Sequence, residues 1–262
     1  MPNARIDKSK TINENYPGLN FDAAFDSNAS LYDAESTSQA VLNEKFKTYI
    51  YIWEYGYYFA SYFIAKSSID NSEAPVAALF TDAHSSTRGS FLLNLRGYHA
   101  EAIALLKKCH ESLVRALAIK ANPKNIWNIV QASDIRRTEH SVGLELNTLY
   151  NLESSFTHSN KIKLFKIGID LQSGKKDIDV HYGPQINEQE FSYTSKVSLF
   201  WLYALIKSAP KLFPNRANEY WISKEEESSR LLLDYLQETK SALAKECEQI
   251  KQALEKTFPL SK

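Results

Sequence analysis

The residues best suited to chemistry lie in one charged helical stretch, RGYHAEAIALLKKCHESLVRA, at positions 96–116. Imidazoles and carboxylates exchange protons near neutral pH. At about 100° per residue, however, most of the charges fall opposite an apolar stripe, which is typical of a solvated helix face. Glu111 and Arg115 form a favourably oriented i,i+4 pair on that face.

His99 and His110 lie instead beside the apolar stripe of the same helix. They are about 16 Å apart along the helix axis, so they cannot ligate one metal ion. We expect each to be a buried or boundary histidine with one hydrogen-bonded nitrogen.

A second candidate site involves Glu54, the only charged residue of the stretch TYIYIWEYGYYFASYFIA at 48–65. Six tyrosines, a glycine and this glutamate favour a buried central helix over a membrane span. A carboxylate in such a helix must pair with a cation or take up a proton. We therefore predict that Glu54 lies inside the bundle and pairs with Arg88, or alternatively with His84, as a structural pair rather than a catalytic centre.

A third candidate cluster combines Glu153, which falls among leucines at helical spacing, with His158 at the end of the same segment. Signatures of named reactions are absent from the sequence: paired E-x-x-H, H-E-x-x-H, G-x-S-x-G, the P-loop and G-x-G-x-x-G. The six histidines are dispersed without metal-ligand spacing, so neither a metal nor another cofactor is expected.

The bulk composition restricts the function classes. The 31 basic and 31 acidic residues cancel, so no global field draws the chain to nucleic acid or to anionic lipid, and we expect neither as a partner. The two cysteines lie in helical patterns, which favours a reduced, cytoplasmic setting.

The coarse organisation is an extended or partly disordered arm over 1–36, followed by a single helical domain over 37–262. The predicted fold class is mainly α, a bundle of about six to seven helices with one inserted β-hairpin. Near-alternation of apolar residues around the turn SGKK predicts the hairpin strands at about 162–171 and 177–183. Helices are predicted at about 38–68, 73–95, 97–121, 126–130, 134–157, 187–212 and 223–257.

The run from ALFTDAHSSTRG to HYGP, about residues 79–185, resembles a group of bacterial all-helical proteins without an assigned activity. Their pattern is a helix, a glycine, an "EA…LL(R/K)…E" helix, a helix ending in "LY…S…H", and a later Gly-Pro. The matching residues here are Gly97, Glu101, Glu111, His158 and Gly183-Pro184. The resemblance implies a helical fold and no particular reaction.

More distantly, the arrangement is similar to HEPN domains, helical bundles that often dimerise and include RNases of toxin and phage-defence systems. Their signature is an Arg, four to six residues and a His. Arg136 and Arg137 lie too close to His140, and Glu153 occupies the position five before His158. Without that Arg, no cation stabilises the developing charge of RNA cleavage.

The sequence thus favours a helical bundle that acts by binding or assembly. We expect a homodimer, because the apolar faces of the aromatic helix and of the last helix both need to be covered. Two alternatives stay open. One is a HEPN-like RNase or defence effector with a remodelled site, and the other is a small-molecule-binding bundle that uses Trp53 and Tyr57.

We predict that the protein neither binds RNA tightly at physiological salt nor cleaves it, because the chain is neutral and lacks the Arg–His signature. Filter binding and gel analysis with a structured RNA over a salt series test this prediction. Salt-dependent cleavage that is lost in His158→Ala would contradict it and favour the HEPN-like alternative.

Overall fold

The computed structural model describes residues 21–65, 73–131, 133–157, 184, 187–217 and 219–259. These residues form ten α-helices and two short 3₁₀ helices, Pro123–Asn125 and Pro214–Arg216. In chain order the α-helices are α1 Phe21–Lys45, α2 Lys47–Ala65, α3 Ala74–Leu95, α4 His99–Ala121, α5 Ile126–Gln131, α6 Ile135–Ser141, α7 Asn147–Thr157, α8 Glu188–Leu212, α9 Glu219–Glu238 and α10 Leu243–Thr257.

The predicted fold class, six to seven helices with an inserted β-hairpin, is wrong. The described part of the chain has ten α-helices and contains no strand. The segments proposed as strands, 162–171 and 177–183, lie outside the described residues. The helix count is higher because each of three expected long helices is divided in two.

Two of these divisions have a left-handed residue at the break. Gly143, with φ of 72°, follows α6, and its N–H donates to the carbonyl of His140. Lys240, with φ of 51°, follows α9, and the next N–H donates to the carbonyl of Leu236. Bonds of this kind satisfy the last carbonyls of a helix and end it. A glycine is a visible stop signal, whereas a lysine in the left-handed region is uncommon and was not predictable.

The predicted extended arm is also wrong for residues 21–36, because α1 begins at Phe21. The remainder of the predicted arm, residues 1–20, lies outside the described residues. Tertiary contacts hold α1 to the turn between α3 and α4: the Tyr98 hydroxyl donates to Glu35 at 2.9 Å, and the Ser38 hydroxyl donates to the Leu95 carbonyl at 3.4 Å. The polar composition of residues 21–36 favours disorder, and composition alone does not predict the tertiary contacts that order them.

The centre of the bundle is α8, which packs against α2, α3, α4, α9 and α10. This corrects the expectation that the aromatic stretch 48–65 is the central, fully covered helix. One side of α2 is buried, and there the Trp53 indole donates to Ser198 of α8 at 2.8 Å. The other side is open, with Tyr51 67% and Tyr58 77% exposed. Among the described helices, none has the length and apolarity needed to cross a membrane.

Close packing of α2 on α8 requires the glycine at position 56. A Cβ there would lie 2.9 Å from Leu202 Cδ2 and 3.4 Å from Leu232 Cδ1, and both leucines are fully buried. At Gly89 a Cβ would lie 2.8 Å from Leu105 Cδ1, but Leu105 is half-buried and has room to move.

We therefore predict opposite effects of alanine at the two glycines. Gly56→Ala should lower the free energy of unfolding by about 1–3 kcal/mol through overpacking. Gly89→Ala should be neutral or stabilise by up to about 1 kcal/mol, because alanine is the better helix former. Urea denaturation measures the free energy of unfolding of the two variants. Equal changes in that free energy would show that the α2–α8 contact is not tight.

Candidate functional site

Three ionisable side chains and one indole meet in the interior, each from a different helix: His110 of α4, Glu139 of α6, Glu153 of α7 and Trp201 of α8. We call this set the His110 cluster. His110 Nδ1 lies 2.8 Å from Glu153 Oε2, and His110 Nε2 contacts Glu139 Oε1. The Trp201 indole N–H donates to Glu153 Oε1 at 2.6 Å. All four residues are at most 1% exposed, so the cluster is sealed from solvent.

Aromatic rings and helix ends hold the imidazole in place. The Trp201 ring lies 4.4 Å from the His110 ring, and Tyr150 meets the His110 ring edge-on at 5.6 Å. Glu139 sits in the last turn of α6, whose first turn is capped by the Asp134 carboxylate accepting from the Arg136 N–H at 3.1 Å. Capping fixes this short helix, which would be marginal alone.

The geometry assigns a positive charge to the imidazole. Both ring nitrogens of His110 face carboxylate oxygens, and only an imidazolium donates from both nitrogens. Burial by itself lowers the pKa of His110, but the charge of Glu153 and the hydrogen bonds to Glu139 and Glu153 outweigh burial and raise that pKa to about 9. The cluster is therefore an imidazolium held between two glutamates at neutral pH.

The geometry of the His110 cluster indicates a structural role rather than a catalytic one. An imidazole with both nitrogens hydrogen-bonded has no lone pair left for a proton or a metal. The described residues include no group of three or more His, Cys, Asp or Glu side chains that could hold a metal ion. The neighbouring thiol of Cys109 is fully buried, and burial raises its pKa, so it is not an activated nucleophile.

The predicted pairing of Glu54 with Arg88 or His84 is wrong. Glu54 is exposed on the outer side of α2, because the helical phase turns Tyr57 and Ser61 toward α3 instead. His84 is buried between those two residues, 3.3 Å from the Tyr57 hydroxyl and 3.0 Å from Ser61 Oγ. Arg88 is exposed, with its guanidinium 5.3 Å from the centre of the Tyr57 ring.

The bonds around His84 form a closed ring. Ser61 Oγ donates to the Tyr57 carbonyl at 2.8 Å, which leaves it to accept from His84 Nε2–H, while the Tyr57 hydroxyl donates to Nδ1. Burial, with a smaller contribution from the charge of Arg88, lowers the pKa of His84 to about 4. His84 is thus a neutral, satisfied histidine and not a base that activates Ser61.

The other candidate residues have separate environments. His99 is buried as predicted, with Nδ1 2.7 Å from Asn94 Oδ1. Glu111 pairs with Arg115 at 3.3 Å on a half-buried face, as the i,i+4 spacing indicated. Glu153 belongs to the His110 cluster, and His158, its expected partner, lies outside the described residues.

Trp53, suggested with Tyr57 as a contact for a small molecule, presents no open ring face. It is fully buried, with its ring stacked 3.8 Å from Phe91 and 4.8 Å from Tyr57.

Sequence reasoning missed Glu139 and Trp201 as members of the site. Glu139 lies in the polar run RRTEHS, where nothing indicates burial. Trp201 offered a partial signal, because a buried indole N–H needs an acceptor, but the sequence does not say which one.

No protein-family model, curated protein or solved structure matches this chain. The physical properties of its own residues are therefore the basis for the function proposed below.

We predict that titration of His110 makes stability fall at alkaline pH. Because the folded-state pKa of about 9 lies above the ordinary 6.5, the imidazolium stabilises fully below pH 6.5, and this contribution is lost as pH rises through 9. The free energy of unfolding should decrease by roughly 2–4 kcal/mol over that interval. Denaturation at several pH values, with ¹⁵N NMR of the imidazole, measures both quantities.

The matched control is His84→Gln. The depressed pKa of His84 places its stability change between pH 6.5 and about 4, with stability lost as pH falls. This variant should keep the alkaline decrease, whereas His110→Gln should lose it. A neutral His110 imidazole at pH 7.5 in the wild-type NMR spectrum would contradict the assignment.

Proposed function

We propose that this protein acts by binding and assembly, as a cytoplasmic homo-oligomer, and not through a reaction at the His110 cluster. The supporting observation is an open aromatic face on α2, whereas the His110 cluster is sealed in the interior, where no substrate can reach it. The two cysteines are free and buried, which supports a reducing, cytoplasmic setting.

The exposed side of α2 has the composition of a protein interface. Lys47, Tyr51, Glu54 and Tyr58, which we call the α2 outer face, are all exposed and recur at spacings of four, three and four residues. This spacing places them in one line along the helix, as in the seam of a coiled coil. Tyrosine is enriched at interfaces because its ring is apolar, while its hydroxyl can form hydrogen bonds with water or with a partner.

The beginning of α9, which contacts α2, also exposes large apolar side chains. Trp221 stacks on the buried Phe59 of α2 at 3.6 Å, so the beginning of α9 packs against α2. Its neighbours Tyr220 and Ile222 are 63% and 54% exposed. Exposed large apolar residues such as these are typical of a surface that a partner covers.

The α2 outer face is preorganised by the packing beneath it. Trp53 is stacked between Phe91 and Tyr57 and hydrogen-bonded to Ser198. These contacts fix α2 before any partner arrives, so little ordering entropy is lost on binding.

We expect the wild-type protein to be a dimer at micromolar concentration in size-exclusion chromatography with light scattering. Tyr51→Asp should convert it to a monomer, because it places a charge at the centre of the α2 outer face. The control is Trp127→Asp on α5, where the ring is 75% exposed and distant in sequence from α2; this variant should remain a dimer. A wild-type chain that stays monomeric at high concentration would contradict the proposed function.

A further inference from the structure

We infer that the α2 outer face binds the same face of a second copy of this chain, with the two α2 helices antiparallel about a two-fold axis at Tyr51. This inference rests on the proposed function and adds the partner, the orientation and the ion pairs that define the interface.

The charges of the α2 outer face are arranged for self-recognition. Lys47 precedes Tyr51 by four residues, and Glu54 follows it by three. At a rise of about 1.5 Å per residue, Lys47 lies about 6 Å before Tyr51 and Glu54 about 4.5 Å after it. An antiparallel copy centred on Tyr51 therefore brings each Lys47 opposite the Glu54 of the other copy, to within about 1.5 Å along the axis.

Both charges are available for such pairing. Lys47 and Glu54 are exposed and, within the described residues, have no ion-pair partner in their own chain. Two other charges of this region already have partners: Lys45 contacts Glu188, and Lys224 lies 2.6 Å from Glu227.

The same charges exclude a parallel arrangement. Two parallel copies in register would set Lys47 against Lys47 and Glu54 against Glu54, which is repulsive. A two-fold interface must be complementary to itself, and only the antiparallel orientation makes this face so. The two tyrosines then supply the apolar contact, with Tyr51 meeting Tyr51 at the axis.

Charge reversal tests the register. In Lys47→Glu homodimers and in Glu54→Lys homodimers, like charges face each other twice, so each variant should dimerise at least tenfold more weakly than wild type at low salt. An equimolar mixture of the two variants should form heterodimers, because every facing pair is then opposite in charge. The double variant Lys47→Glu/Glu54→Lys should also dimerise. Native mass spectrometry distinguishes these species, and Arg137→Glu, with a side chain 90% exposed on α6, is the charge-reversal control.

Disulfide trapping provides a second measurement. Cys109 and Cys247 are buried, so Tyr51→Cys introduces an exposed thiol that should form a disulfide-linked dimer on mild oxidation. Trp127→Cys should not. A wild-type dimer that neither charge reversal weakens, and that Tyr51→Cys does not cross-link, would overturn the inferred interface while leaving assembly in place. A monomeric wild type would overturn both proposals.

Discussion

The burial of one imidazolium between two carboxylates is the interaction on which this bundle depends. Removing such charges from water is costly unless every one of them is paired and hydrogen-bonded. His110, Glu139, Glu153 and Trp201 come from four helices, so the cost is offset only when all four helices are docked. The cluster therefore discriminates against partly packed arrangements that an apolar core would tolerate.

Helix α8 links the buried His110 cluster to α2, which carries the exposed tyrosines. Trp201 binds Glu153, and one turn earlier Ser198 accepts from the Trp53 indole of α2. Because α8 contacts both the cluster and α2, the position of the exposed tyrosines is set by the buried core. In the proposed function, the cluster would act by fixing the α2 outer face, although none of its own atoms reaches that surface.

The sequence predicted some of this structure correctly. Periodicity indicated a mainly helical chain, the burial of His99 and His110, and the pairing of Glu111 with Arg115. The expectation that only one nitrogen of His110 is hydrogen-bonded is wrong, because Glu153 and Glu139 bind both. It failed where the outcome depends on tertiary contacts or on backbone conformation. The extra helix ends depend on left-handed residues such as Lys240, and α1 depends on contacts with the turn that follows α3. The partners of His110 lie 29 and 43 residues away in sequence, and pattern alone could not identify them.

Glu54 and Glu153 show why local hydrophobicity misleads about burial. Glu54 lies in the most apolar stretch of the chain and is exposed, whereas Glu153 lies in a shorter, more polar helix and is buried. Around a helix, neighbours in sequence point in different directions, so the phase of a residue decides its environment. Glu153 faces a cation and an indole donor that offset its desolvation. Glu54 stays in water and has no desolvation cost. The exposed tyrosines beside it would be stabilised if a partner covered them. A carboxylate placed there contributes little to folding, and its position in line with Lys47 is the feature that the proposed antiparallel interface uses.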